Sequence, residues 1–122
     1  MKTKTVLVVD DSETIRNQVA RALQTAGFDV LEAGDGVEGL EQLANNEIAL
    51  VILDVNMPIL NGIEMLTKVR ANPRTANIPV LMLTTEVHQT MIQRGRDAGA
   101  SGWIIKPVKV EHLVSAVNKL AA

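Results

Sequence analysis

A chain of 122 residues has the length of one domain and can bury a core without covalent staples. It holds no cysteine, which excludes a disulfide framework and a thiolate metal site, and its net charge of −2 with mixed signs excludes a basic surface for nucleic acid or anionic membrane. The longest nearly pure apolar run, Ile48 to Leu53, is far too short to span a bilayer, and "MKTK" ahead of a strand and two acids is not a signal peptide, so one cytoplasmic domain over residues 1–122 is expected.

The first predicted strand is Thr5–Val9, apolar throughout its last four residues and followed at once by Asp10 and Asp11. Ile15, Val19 and Leu23 then repeat at helical spacing, and Gly27 supplies a stop. A mixed strand, Phe28–Glu32, is expected nearer a sheet edge than the others. Val37, Leu40, Leu43 and Ala44 mark the second helix, with Asp35 and Glu38 spaced as a capping box. The third strand, Ile48–Leu53, runs into Asp54. Asn61 and Glu64 repeat the capping signal before Ile63, Leu66 and Val69. The fourth strand, Pro79–Leu83, is followed by Thr84 and Thr85. A helix from His88 to Ala98 has the weakest pattern, with Met91, Ile92 and Ala98 on its apolar side. The fifth strand, Ser101–Ile105, leads into Lys106, and Val110, Leu113, Val117 and Leu120 make a clear last helix.

Strands rich in Val, Ile and Leu that alternate with helices imply a parallel, doubly wound sheet covered on both faces. The working crevice of such a sheet lies beyond the carboxyl ends of its strands. Asp10 and Asp11 follow strand one, Asp54 strand three, Thr84 and Thr85 strand four, and Lys106 strand five, so distant polar residues meet at one end. Carboxylates crowded into one crevice repel each other and push at least one toward protonation. A hard divalent cation relieves that repulsion, and Mg2+ commonly binds one or two carboxylates together with a phosphate. Lys106 adds a point charge for an anion and Thr84 a hydroxyl donor, which together equip the crevice for phosphoryl transfer. A carboxylate can itself be the phosphoryl acceptor.

Each residue also has an ordinary reading. Asp10 and Asp11 can cap the helix near Ser12, and Asp54 can serve the turn before "NMP". Thr84 and Thr85 suit a strand, Lys106 suits a solvated surface, and Trp103 suits a core. Coincidence at four strand ends on one side is what favours the joint reading.

The stretches "VLVVDDSETIR", "LDVNMPILNG", "PVLMLTTE" and "AGASGWIIKP" resemble the receiver domain of two-component response regulators, of the single-domain CheY type, over essentially the whole chain. The resemblance implies a flavodoxin-like fold with strand order 2-1-3-4-5 and five helices. It implies that Asp54 is the phosphoacceptor, that Asp10 and Asp11 are the Mg2+ acids with Asp11 the more direct ligand, and that Asn56 offers its backbone carbonyl to the metal. It casts Thr84 as the switch hydroxyl, Lys106 as the phosphoryl-binding lysine ahead of a cis bond to Pro107, and Asn56 and Glu86 as the positions that tune phosphoryl lifetime. Trp103 takes the switch-aromatic position, where Tyr or Phe is usual, and Thr85 stands where a small residue is frequent. Val87, His88, Gln89 and Ala116 fall on the face that resembles a motor and kinase docking surface. The implied protein is a monomeric signalling switch that catalyses only its own phosphorylation and dephosphorylation. Its donor is a sensor histidine kinase, and its output is a partner protein on the face of the fourth helix, fifth strand and last helix, with no direct nucleic acid or membrane contact. Chemotaxis or motility is the expected pathway.

Two other functions share parts of the pattern. A Mg2+-dependent phosphatase with an aspartyl nucleophile needs a general acid, and the haloacid-dehalogenase pattern puts a second Asp two residues on, where this chain has Asn56. A flavodoxin-like cofactor binder needs a neutral phosphate loop after strand one, where "DDSET" repels a bare phosphate.

Overall fold

The computed structural model describes residues 4–57, 60–85 and 89–121. The elements run β1 (Thr5–Val9), α1 (Glu13–Thr25), β2 (Asp29–Ala33), α2 (Gly36–Asn45), β3 (Leu50–Asp54), α3 (Gly62–Ala71), β4 (Val80–Thr84), α4 (Gln89–Ala98), β5 (Gly102–Ile105) and α5 (Val110–Leu120). Five strands form one sheet in the order β2-β1-β3-β4-β5, and every pairing is parallel. This is the doubly wound order that the family resemblance implied.

Alternation along the strands divides the core in two. Leu7, Val9, Val51, Leu53, Val80 and Met82 face α2 and α3 through Leu43, Met65, Leu66 and Val69. Val6, Val8, Leu50, Ile52, Leu81 and Leu83 face α1 and α5 through Val19, Leu23, Leu113 and Val117. The central strands β3 and β4 are buried over their whole length, as continuous apolar runs require. β2 lies on an edge, as its mixed sequence predicts. β5 forms the other edge, and its apolar sequence overstates its cover, since Ile105 is half exposed. β1 spans the residues predicted for it, and the limits of the other four strands differ from the sequence reading by one or two residues. β3 in particular extends to Asp54, so this acid is a strand residue that pairs with Leu83.

At Asn61 the reciprocal capping box with Glu64 is complete, as the sequence places it. At Asp35 only half of the expected box forms, the side chain accepting from Glu38 N. The N-cap of α1 is Ser12, whose Oγ accepts from Ile15 N, and not the acids before it. One tether was not legible in the sequence. The Arg70 guanidinium donates to Ala76 O, Ile78 O and Gly99 O, and so ties α3 to the loop before β4 and to the turn after α4. Burial lowers its pKa from the ordinary arginine value.

Candidate phosphoryl-acceptor site

Parallel strands bring their carboxyl ends to one edge of the sheet, and there the polar residues meet. Asp10 N donates to Ala33 O at 3.1 Å, which holds the end of β1 against β2. The Asp10 carboxylate is fully buried, and its Oδ1 accepts from Ser12 N at 2.8 Å. That bond stiffens the turn into α1, whose N-cap is Ser12 and not Asp10, and it uses only one oxygen. Asp10 Oδ2 is buried without a hydrogen bond among the described residues and faces the Lys106 ammonium at 3.2 Å. The same ammonium lies 3.2 Å from Asp54 Oδ1, which also accepts from Asn56 N at 3.3 Å. Asp54 is 3% exposed, whereas Asp11 lies open to solvent.

Two backbone bonds set the lysine and the acid in register. Val55 N donates to Leu83 O at 3.0 Å, and Lys106 N donates to Thr84 O at 2.8 Å. Thr84 is buried at the end of β4, between the strands that carry Asp54 and Lys106. Thr85, next along, is exposed. The Lys106–Pro107 bond is cis. Gly62 packs against the backbone at the end of β3, where a Cβ would stand 2.3 Å from Asp54 O. Only a residue without a side chain lets α3 begin this close to the end of β3.

Asp10, Asp11 and Asp54 offer carboxylate oxygens within 4.8 Å of one another. This cluster could bind a metal. The buried Oδ2 of Asp10, the open Asp11 and the oxygen-only donor set fit a hard divalent cation.

Burial above all, then the Asp10 charge, pushes Asp54 up from 3.8 to about 6, against the opposing pull of Lys106 and the Asn56 N–H. A carboxyl raised in the fold binds its proton more tightly than in the unfolded chain. Its contribution to stability is therefore complete below the unfolded value of 3.8 and is lost as pH rises through about 6. In metal-free buffer, Asp54→Asn should gain about 2–3 kcal/mol over wild type between pH 4 and pH 7. Urea unfolding of both proteins across that range measures it, and a gap that does not change with pH contradicts the assignment.

Trp103 does not lie free on the surface. It is half buried against the core on the α3 side. A Cβ built on Gly95 of α4 would lie 2.2 Å from Trp103 Cζ2, so the bare glycine is the seat of the indole. Gln89 is exposed, while Ala116 is half buried against the α1–α5 core and is less open than its expected docking role suggests. Glu86, Val87 and His88 lie outside the described residues.

The family described as "Response regulator receiver domain" matches residues 6–118. The chain belongs to that family. Among relatives of this receiver domain, the chemotaxis protein CheY1 of Helicobacter pylori is 43% identical over 104 residues, covering 84% of each chain. The chemotaxis protein CheY-3 of Vibrio cholerae is 35% identical over 120 residues, covering 98% of this chain and 92% of that one. The solved structure of Vibrio cholerae CheY4 superposes with a TM-score of 0.94 at 39% identity, covering 98% of this chain and 99% of that one. The receiver domain is thus that of a CheY-like response regulator, a family of signalling switches that take a phosphoryl group from a kinase and act on a downstream partner. Among the described residues, no helix is long and apolar enough to cross a membrane.

Proposed function

We propose that this receiver domain, spanning residues 1–122, takes a phosphoryl group from the phosphohistidine of a sensor kinase onto Asp54. The observation that carries the reading is the Lys106 ammonium 3.2 Å from both Asp10 and Asp54, in a site where three carboxylates converge. Asp10, Asp11, Asp54 and the Asn56 carbonyl would hold Mg2+, which supplies charge neutralisation for phosphoryl oxygens. Lys106 and Asn56 hold Asp54 Oδ1, which leaves Oδ2 to attack phosphorus. The new O–P bond forms as the N–P bond to the kinase imidazole breaks. Lys106 then balances the added charge, and hydrolysis of the acyl phosphate returns phosphate and the Asp54 carboxylate. The chain thereby catalyses its own phosphorylation and dephosphorylation and acts on no other substrate.

Thr84 follows the phosphoryl group, and its movement is passed to Trp103. Because the indole is seated on Gly95, the response reaches α4 as well as β5. The α4–β5–α5 face is then the surface offered to an output protein, with the chain acting as a cytoplasmic monomer. The chemotaxis relatives support taxis or motility as the pathway.

The first test is thermal unfolding with and without Mg2+. Saturation at a hundred times Kd stabilises a fold by about 2.7 kcal/mol. Wild type should show such a shift, and Asp11→Ala should keep the fold and lose the shift. Equal shifts remove Asp11 from the site, and no shift in wild type removes the metal from the mechanism.

A further inference from the structure

We propose that Arg16 is a positioning residue for the cation seat. It holds the Asp10–Asp11 turn in the geometry that Mg2+ demands, while Glu32 balances its charge. The inference rests on the reading of Asp10 and Asp11 as metal acids.

Arg16 stands in the first turn of α1, close to the two acids in sequence. Its Nη1 donates to the backbone carbonyl of Asp10 at 2.8 Å, and its Nε donates to Glu32 Oε1 at 3.1 Å. The Asp10 carbonyl belongs to the planar peptide that leads into Asp11. Fixing that oxygen fixes the plane, and with it the direction in which Asp11 leaves the turn. Together with the bonds from Asp10 N to Ala33 O and from Ser12 N to Asp10 Oδ1, the clamp holds three polar atoms of Asp10. Oδ2, buried without a hydrogen bond among the described residues, is the atom left to face the cation and Lys106.

Charge alone argues against an arginine here, since a guanidinium beside the metal acids competes with the cation. Two features answer that objection. The guanidinium takes a neutral carbonyl of Asp10 and leaves the carboxylate alone, and its charge is matched by Glu32 at the end of β2. A planar fork presents its donors to both acceptors in a fixed geometry, whereas a lysine brings three rotatable donors on a flexible stem and holds neither plane. Mg2+ requires near-ideal octahedral geometry, whereas Ca2+ tolerates irregular sites, so a misplaced acid harms Mg2+ binding more. If the clamp were only a tether between α1 and β2, its loss would lower stability and leave the preference between cations unchanged.

The test is calorimetric titration of Mg2+ and Ca2+ into wild type, Arg16→Lys and Arg16→Met, well below their unfolding temperatures. Outer-shell partners of a metal site are commonly worth 10–100-fold in affinity, so Mg2+ Kd should weaken about tenfold in both variants. Ca2+ should weaken less, which narrows the preference for Mg2+. Glu32→Gln, which leaves the carbonyl contact in place, should weaken Mg2+ binding mainly at low salt, and it carries the test if an Arg16 variant fails to fold. Arg16→Met binding Mg2+ as tightly as wild type, or tighter, overturns the inference. So does an equal loss of both cations. A wild-type protein that binds no Mg2+ fails the underlying reading instead, and the inference falls with it.

Discussion

Asp54→Asn should abolish the base-labile phosphoryl adduct that wild type is expected to form with a small acyl phosphate and Mg2+, as read by intact mass. The amide keeps the shape of the carboxylate and can still accept from Asn56 N, so the fold survives. Its oxygen carries no negative charge and cannot serve as the nucleophile. Asp10 is a poor substitute. It is fully buried, one oxygen is taken by Ser12 N and the other is held against Lys106. The same substitution removes a carboxylate that its surroundings oppose, so the variant should be inactive and more stable than metal-free wild type at pH 7. Loss of the adduct by simple unfolding would lower stability instead. An adduct of unchanged mass in Asp54→Asn identifies a different nucleophile.

Gly62→Ala should be among the most destabilising single-methyl changes in the chain. The added Cβ would sit 2.3 Å from Asp54 O, 2.8 Å from Val55 Cα and 3.0 Å from Asp54 C. These are backbone atoms, pinned by Val55 N to Leu83 O and by Gly62 N to Val55 O, so no rotamer can make room. Overpacking a well-fitted site costs about 1–3 kcal/mol, and a rigid backbone neighbour puts this one at the upper end. At roughly 4 °C for each kcal/mol, the melting temperature should fall by about 10 °C. Phosphoryl uptake should slow in the fraction that remains folded, because relief of the overlap moves the end of β3. A melting temperature within two degrees of wild type, with uptake unchanged, contradicts the close approach.

Much of this could be read from the chain, for identifiable reasons. Asp10 and Lys106 follow apolar strands and Asp54 ends one, and parallel pairing alone is enough to bring strand ends together. Asp35 and Asn61 act within three residues of their own sequence, so spacing reveals them, whereas the cap of α1 fell to Ser12 and not to the acids that precede it. The burial of β5 was misjudged, because an apolar run looks alike on an edge and in the centre. Arg16 and Arg70 escaped for another reason. Each works by donating to backbone carbonyls, and a carbonyl leaves no mark in sequence. Gly62 and Gly95 escaped because an absent side chain does not reveal what fills its place.

Gly95 and Trp103 also constrain the order in which this surface can change. A glycine inside a helix is about 1 kcal/mol worse than alanine, so position 95 stands to gain helix stability by mutation. That gain is closed while the indole occupies the seat, since the new Cβ would meet Cζ2 at 2.2 Å. Exchanging Trp103 for a smaller ring first opens a gap, and the methyl of alanine at 95 can then fill it. The two steps are tolerable in one sequence and blocked in the other, and in a double-mutant cycle their effects would not add. An ancestor or descendant with alanine at 95 is therefore expected to carry a smaller aromatic at 103, so that the two positions are inherited as one unit.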